Sequence, residues 1–334
     1  MKTVNFSAIG TGGIFKTIQY CMKRNKRVKL MCVMDINEQV AKNWGNRLGV
    51  PYCTSTDELF EKYEMDAVYI ATPHFTHKSI MEEAIANGTH IFVEKPITTT
   101  LEDAMDIVQK AEKADVKIGV DFQNRYNPVA YNMVRAVQDG LLGKILYGTV
   151  AVPWKRTSNY YKQGEWRTKW ETAGGGTLIT HAIHFIDILV WAFGNPISVM
   201  GKYATRKHDI EVEDIGMGLI EFENGAIAQV LSSAVNDPGR SVRVDLFGEK
   251  GNILFRGSFP SYSIWQGIRR KNYPLRERSP IIYKNIIDAF VNYILDDTVF
   301  FASGRESLKI TSVIDGIYKS ARSGKAVKIN PLIF

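Results

Sequence analysis

The sequence predicts an α/β chain in two parts: a doubly wound parallel sheet, then an α+β domain on a largely antiparallel open sheet. Three observations predict it. The turn Gly10-Thr11-Gly12-Gly13 stands between an apolar run and an amphipathic stretch. Apolar and helical segments then alternate as far as Val120. Further on, Glu223-Asn224-Gly225-Ala226 is a two-residue hairpin signal, which requires antiparallel pairing.

Taken in order, Val4 to Ile9 reads as a short buried strand, and Ile14 to Lys23 as a helix starting directly after the glycines. A second strand, Val28 to Met34, ends at Asp35, and further strands fall at Ala67 to Ile70, His90 to Val93 and Lys117 to Val120. Ser55 with Glu58, and Thr100 with Asp103, read as helix starts, while Gly88 stops a helix running from Lys78 to Asn87. The rhythm changes after Asp121, so the domains are expected at residues 1–121 and 122–334. The second contains a helix from Tyr131 to Asp139 and a strand from Leu146 to Pro153. A helix over Thr180 to Phe193 follows the flexible Gly174-Gly175-Gly176, then strand-like segments run from Ile197 to Phe255. Two amphipathic helices, about Ile281 to Leu295 and Arg305 to Ser323, close the chain.

A chain of 334 residues is long enough for two cores. Its three cysteines, Cys21, Cys32 and Cys53, lack disulfide or metal-ligand spacing and read as small buried residues in a reducing compartment. Neither a signal-peptide pattern nor a run long enough to span a bilayer is read, so a cytoplasmic protein is expected, with no membrane partner. The net charge is +7, with basic patches at Lys23-Arg24-Asn25-Lys26-Arg27 and Arg269-Arg270-Lys271. The first lies where a helix ends, where cations complement its dipole, and neither belongs to a nucleic-acid module. No nucleic-acid partner is expected; the excess charge suits gathering small anions.

The glycine turn carries the first chemical signal. In a strand-turn-helix unit, Gly10, Gly12, Gly13 and Ile14 bring backbone N–H groups to a pyrophosphate, and an acid about twenty residues on takes the ribose diol. Asp35 stands there and would repel a 2′-phosphate, so NAD is expected over NADP. The third glycine of the usual pattern is Phe15, which is expected to hold the helix further from the strand. Glu94-Lys95-Pro96 ends an apolar run and carries the second signal. A lysine there, partly buried and beside a cationic nicotinamide, can exchange the proton of a hydroxyl while hydride moves. From Trp154-Lys155-Arg156 through Tyr160-Tyr161 to Trp166-Arg167 and Trp170, aromatic faces alternate with cationic donors, a pattern suited to sugar rings. Lys155 and Arg156 hint at an acidic or phosphorylated substrate.

Five stretches together resemble the Gfo/Idh/MocA oxidoreductases: the G-T-G-G turn, Ala71 to His77, Glu94 to Pro96, Asn124 to Pro128, and the run ending at His184. The resemblance covers essentially the whole chain. It implies a Rossmann domain followed by a domain whose open sheet often forms an oligomer interface, so a homo-oligomer is expected. It also implies hydride transfer between a nicotinamide cofactor and a secondary alcohol of a sugar or inositol. Lys95 would then be catalytic and near the nicotinamide, with Glu94 supporting it; Thr72, Pro73 and His77 would border the nucleotide. Trp166, Arg167 and Tyr283 would approach the cofactor, with Asp121 and Gln123 as weaker candidates. His184 is the second catalytic candidate, and the substrate set is Lys95, Arg125, Trp154, Tyr160, Thr180, His181 and His184. The family's usual aspartate four residues before the histidine is Thr180 here, which can orient a hydroxyl but cannot carry a proton at neutral pH.

His181, His184 and Asp187 follow at i, i+3 and i+6, yet the last falls on a different helix face from the first, and no metal is expected. Two other functions remain open beside the dehydrogenase. One is a redox-neutral enzyme in which the cofactor oxidises the substrate only transiently. The other is a ligand-sensing protein that does no chemistry.

Overall fold

The computed structural model describes residues 1–258, 261–266 and 285–331. The chain divides into two compact units. The first comprises residues 1–98 and 102–121 together with the stretch ending at Ser307 that carries helix Ile286–Asp296. The sequence had placed that helix in the second domain. It joins the first unit because its apolar face meets the parallel sheet: the Phe290 ring lies 6.2 Å from Phe6 and 5.2 Å from Phe92.

Six parallel strands build the first unit: β1 (Val4–Ile9), β2 (Val28–Met34), β3 (Tyr52–Cys53), β4 (Ala67–Ile70), β5 (His90–Val93) and β6 (Ile118–Val120). Their order, β3-β2-β1-β4-β5-β6, is that of the dinucleotide-binding fold. The chain reverses direction across the sheet between β1 and β4, and ligands bind at that switch point outside the strands' carboxyl ends. The first helix is Phe15–Arg24. Phe15 is fully buried, edge-on to Trp44 at 5.0 Å and stacked near Tyr69 at 6.4 Å. The ring thus serves as core where the common pattern has a glycine. Ser55 caps its helix as expected, accepting from Glu58 N–H at 3.2 Å.

The second unit holds β7 (Ile145–Pro153), β8 (Pro196–Ala204), β9 (Ile215–Phe222), β10 (Ile227–Ser233), β11 (Val242–Gly248), β12 (Gly251–Ser258), β13 (Ser261–Gln266) and β14 (Val327–Lys328). They form one sheet in the order β13-β12-β11-β7-β10-β9-β8-β14. All its pairs are antiparallel except β7 with β10. The expected hairpin joins β9 and β10, with Gly225 at φ 83° and Asn224 accepting from Ala226 N–H. One sheet face is covered by helices. Gly201 and Gly218 leave room for Ile317, and Gly148 for Phe193 and Leu189, since a Cβ at any of the three would approach within 2.5–2.8 Å. The other face shows Tyr147, Met200, Met217, Leu219 and Ile227, each 44–57% exposed.

The helix expected over Thr180 to Phe193 is two structures: a π-helical turn, Leu178–Ala182, running into helix Ile183–Phe193. Contrary to the sequence expectation, the helical run Trp170–Phe193 is long and apolar enough to cross a membrane by length and composition. Within the fold, 83% of its most apolar stretch is buried, which marks it as a core element.

Candidate active site

In the first unit, β1 ends at Gly10, whose φ is 84° and whose Cβ, if present, would lie 2.7 Å from Ala71 O at the end of β4. Only glycine fits that approach across the switch point. Gly12 and Gly13 are exposed, with open space where their Cβ atoms would be. The helix that follows has no side-chain cap at Ile14, so its first N–H groups are available to an anion. Asp35 is held in place at the end of β2. One carboxylate oxygen accepts from Thr11 N–H at 2.9 Å and Thr11 O–H at 3.0 Å, the other from Asn37 N–H at 3.0 Å. Among the described residues no cation pairs with Asp35, so its charge stands against a 2′-phosphate. Turn, helix start and acid fit NAD.

At the next strand ends, half-buried Glu94 stands beside fully buried Asp121. Tyr69 O–H donates to Glu94 at 2.9 Å. Burial and the Glu94 carboxyl hold the Asp121 proton well above the usual carboxylate range, against the pull of the Lys95 charge. Asp121 Oδ1 is buried without a hydrogen-bond partner, which a neutral acid tolerates better than an anion. Lys95 is half-buried, and the Lys95-Pro96 peptide is cis. His77 is fully buried, with Nδ1 2.9 Å from Pro96 O and Nε2 3.0 Å from Thr72 O, so it fastens the loops after β4 and β5 to each other. Thr72 and Pro73 remain partly exposed.

In the second unit, Glu213 organises the start of the segment bearing Thr180, His181 and His184. Its fully buried carboxylate accepts from Gly176 N–H at 2.6 Å, Leu178 N–H at 2.9 Å and Tyr318 O–H at 2.9 Å. Burial pushes its pKa up to about 7, while those donors pull it down. A Cβ on Gly176 would fall 1.8 Å from Glu213 O, which is why this turn is glycine. Thr180 O–H donates to Gly176 O at 2.6 Å, so its proton is already committed to the backbone. His184 is half-buried, edge-on to Phe122.

Two expected substrate ligands are committed elsewhere. Arg125 is 1% exposed and its Nε and Nη2 donate to Asp187 at 2.7–3.1 Å, forming a buried brace between its turn and helix Ile183–Phe193. That pairing also removes Asp187 from any metal site with His181 and His184. His181 is 4% exposed, with Arg156 Nε–H donating to its Nε2 at 3.0 Å and Thr177 Oγ1 3.1 Å from its Nδ1. Trp154 and Tyr160 are part-exposed and pack on His181, and Trp166 and Arg167 lie in the turn Glu165–Thr168. Gln123 is exposed, whereas Tyr283 lies outside the described residues. The sequence did not point to Glu213, Thr11 or Tyr69. Only Thr11, between the glycines, carried any local signal.

Residues 4–122 match the oxidoreductase family model with an NAD-binding Rossmann fold, and residues 132–254 match the GFO/IDH/MocA C-terminal domain. The chain belongs to the Gfo/Idh/MocA family. It is an NAD-binding oxidoreductase. Inositol 2-dehydrogenase of Rhizobium meliloti is 25% identical over 98% of this chain and 99% of its own length. An NAD-dependent scyllo-inositol 2-dehydrogenase of Bacillus subtilis is 29% identical over 68% of this chain, the match spanning 66% of that protein. Among solved structures, the WlbA dehydrogenase of Bordetella pertussis in complex with NADH and UDP-GlcNAcA superposes with a TM-score of 0.90. It is 27% identical, covering 98% of this chain and 99% of that one.

Proposed function

We propose that this chain transfers hydride between a secondary alcohol of a sugar, sugar derivative or inositol and NAD. The observation that carries the reading is buried Asp121 with half-buried Glu94 beside Lys95, at strand ends neighbouring the dinucleotide turn. NAD, when bound, supplies the hydride acceptor. Lys95 takes the hydroxyl proton. Burial and the neighbouring Glu94 carboxyl raise the Asp121 pKa, which weakens the negative charge that would hold the Lys95 proton and so favours the amine that a base must be. His184 is the second proton-handling group, and Thr180 accepts rather than donates at the substrate. The inositol dehydrogenases among the relatives support the substrate class.

Lys95→Ala should leave NAD affinity, read by fluorescence titration, within about twofold. Turnover should fall by on the order of a hundredfold or more, as expected for losing a positioned acid–base group. Unchanged turnover on an authentic substrate would remove Lys95 from the mechanism.

The half-exposed apolar residues on the outer face of the second sheet support self-association, as the family resemblance implies. Sedimentation showing only monomers at micromolar concentration would remove that reading. The three thiols are free, which supports a reducing, cytoplasmic setting.

A further inference from the structure

Arg156 and Arg167 take no part in the proton chemistry above, and their surroundings are unusual. Both guanidinium groups stand over the Tyr160 ring, at 5.0 and 5.4 Å from its centroid. Arg156 also lies 4.8 Å from the Trp154 ring, and Arg167 4.3 Å from that of Trp166. Stacking occupies the faces of a guanidinium and leaves the N–H donors along its edge.

Among the described residues the Arg156 guanidinium donates through Nε–H alone, to His181 Nε2. Because that nitrogen accepts, His181 is neutral, with its proton on Nδ1 toward Thr177 Oγ1. The histidine therefore aims Arg156. His208 Nε2 lies 3.0 Å from Arg156 O and fixes the backbone at the same residue. Gly164 makes room for Arg167: a Cβ there would lie 1.7 Å from Arg167 Nη1.

Among the described residues neither charge is compensated. Among the described residues no carboxylate lies within ion-pair distance of Arg156 or Arg167, although Lys155 next door is paired with Asp237 at 2.9 Å. The neighbouring acids, Glu165 and Glu171, are exposed and make no such pair. Two part-buried cations sharing one ring repel each other, and an anion between their edge donors would reverse that cost.

We infer that Arg156 and Arg167 bind an anionic group, carboxylate or phosphate, carried by the substrate. The substrate class is then an acidic sugar. This rests on the oxidoreductase reading for the sugar but not for the charge.

The test is calorimetric titration of the NADH-loaded protein with glucuronic acid, glucose 6-phosphate and glucose. At least one anion should bind about tenfold or more tightly than glucose, the scale of a charge-assisted hydrogen bond. Which anion wins separates carboxylate from phosphate. Arg156→Gln should erase the advantage without changing glucose affinity, and Arg167→Gln should erase it as well. Arg156→Lys should keep part of it, Gly164→Ala should weaken it by displacing Arg167, and added salt should reduce it. Thermal unfolding confirms that each variant is folded. Equal binding of glucose and both anions, no binding of any of the three, or an advantage that survives both glutamine variants would overturn the inference. Because binding is read without turnover, anion binding with no hydride transfer would count against the oxidoreductase reading alone. Turnover of neutral sugars with no anion preference would count against this inference alone.

Discussion

Glu213→Gln keeps the side chain's shape and removes its charge. The carboxylate is fully buried, and its pKa is raised from an ordinary 4.5 to about 7. A folded-state pKa above the unfolded one means that the folded chain holds a proton the unfolded chain has released. The contribution of Glu213 to stability is therefore full below about 4.5 and declines as pH rises toward 7. At 1.36 kcal/mol per pH unit, the decline between pH 5 and 8 is about 2–3 kcal/mol. The glutamine has no such slope. Its amide group can satisfy Leu178 N–H and Tyr318 O–H through the carbonyl, but its NH2 then faces Gly176 N–H, a cost of about 1–3 kcal/mol that does not vary with pH. Urea unfolding of both proteins at several pH values, followed by tryptophan fluorescence, should show the stability gap moving toward the variant by about 2–3 kcal/mol from pH 5 to 8. Parallel stability curves over that range would refute the reasoning.

Further outcomes follow from named contacts. Asp35→Ser should narrow the preference for NAD over NADP in parallel titrations, because the charge opposing a 2′-phosphate is lost; tighter NADP binding by the wild type would contradict the assignment. Asp187→Ala removes the carboxylate to which the buried Arg125 guanidinium donates and should destabilise the second unit by about 3–5 kcal/mol. Asp187→Asn should cost less, since it retains one acceptor. A loss under 1 kcal/mol for Asp187→Ala would mean that water or another group reaches Arg125.

The first unit was legible because its strands are short apolar runs bounded by turn residues, and β1, β2, β4 and β5 fall on the residues the sequence predicted. The place of helix Ile286–Asp296 was not, because an amphipathic stripe shows that a helix is covered but not by which sheet. Likewise, Phe15 breaks a sequence pattern, and only its contacts with Trp44 and Tyr69 show how a large ring is accommodated. That Glu94 and Asp121 directly follow strands could be read from motif position. The roles of Arg125, His77 and His181 could not, since each depends on partners far along the chain that commit its polar atoms. Glu213 was invisible for the same reason: it meets Gly176 and Leu178 from more than thirty positions away.

The central claim is hydride transfer from a sugar-like alcohol. Incubating the purified chain with NAD and a panel of sugars, sugar acids, inositols and glycosides, while following reduced-cofactor absorbance and product mass together, tests it directly. The account predicts NADH appearing with a product two mass units lighter than its substrate, and loss of both signals in Lys95→Ala. A changed sugar with no net NADH would replace net oxidation by redox-neutral turnover, and NAD binding with no change in any substrate would contradict the claim.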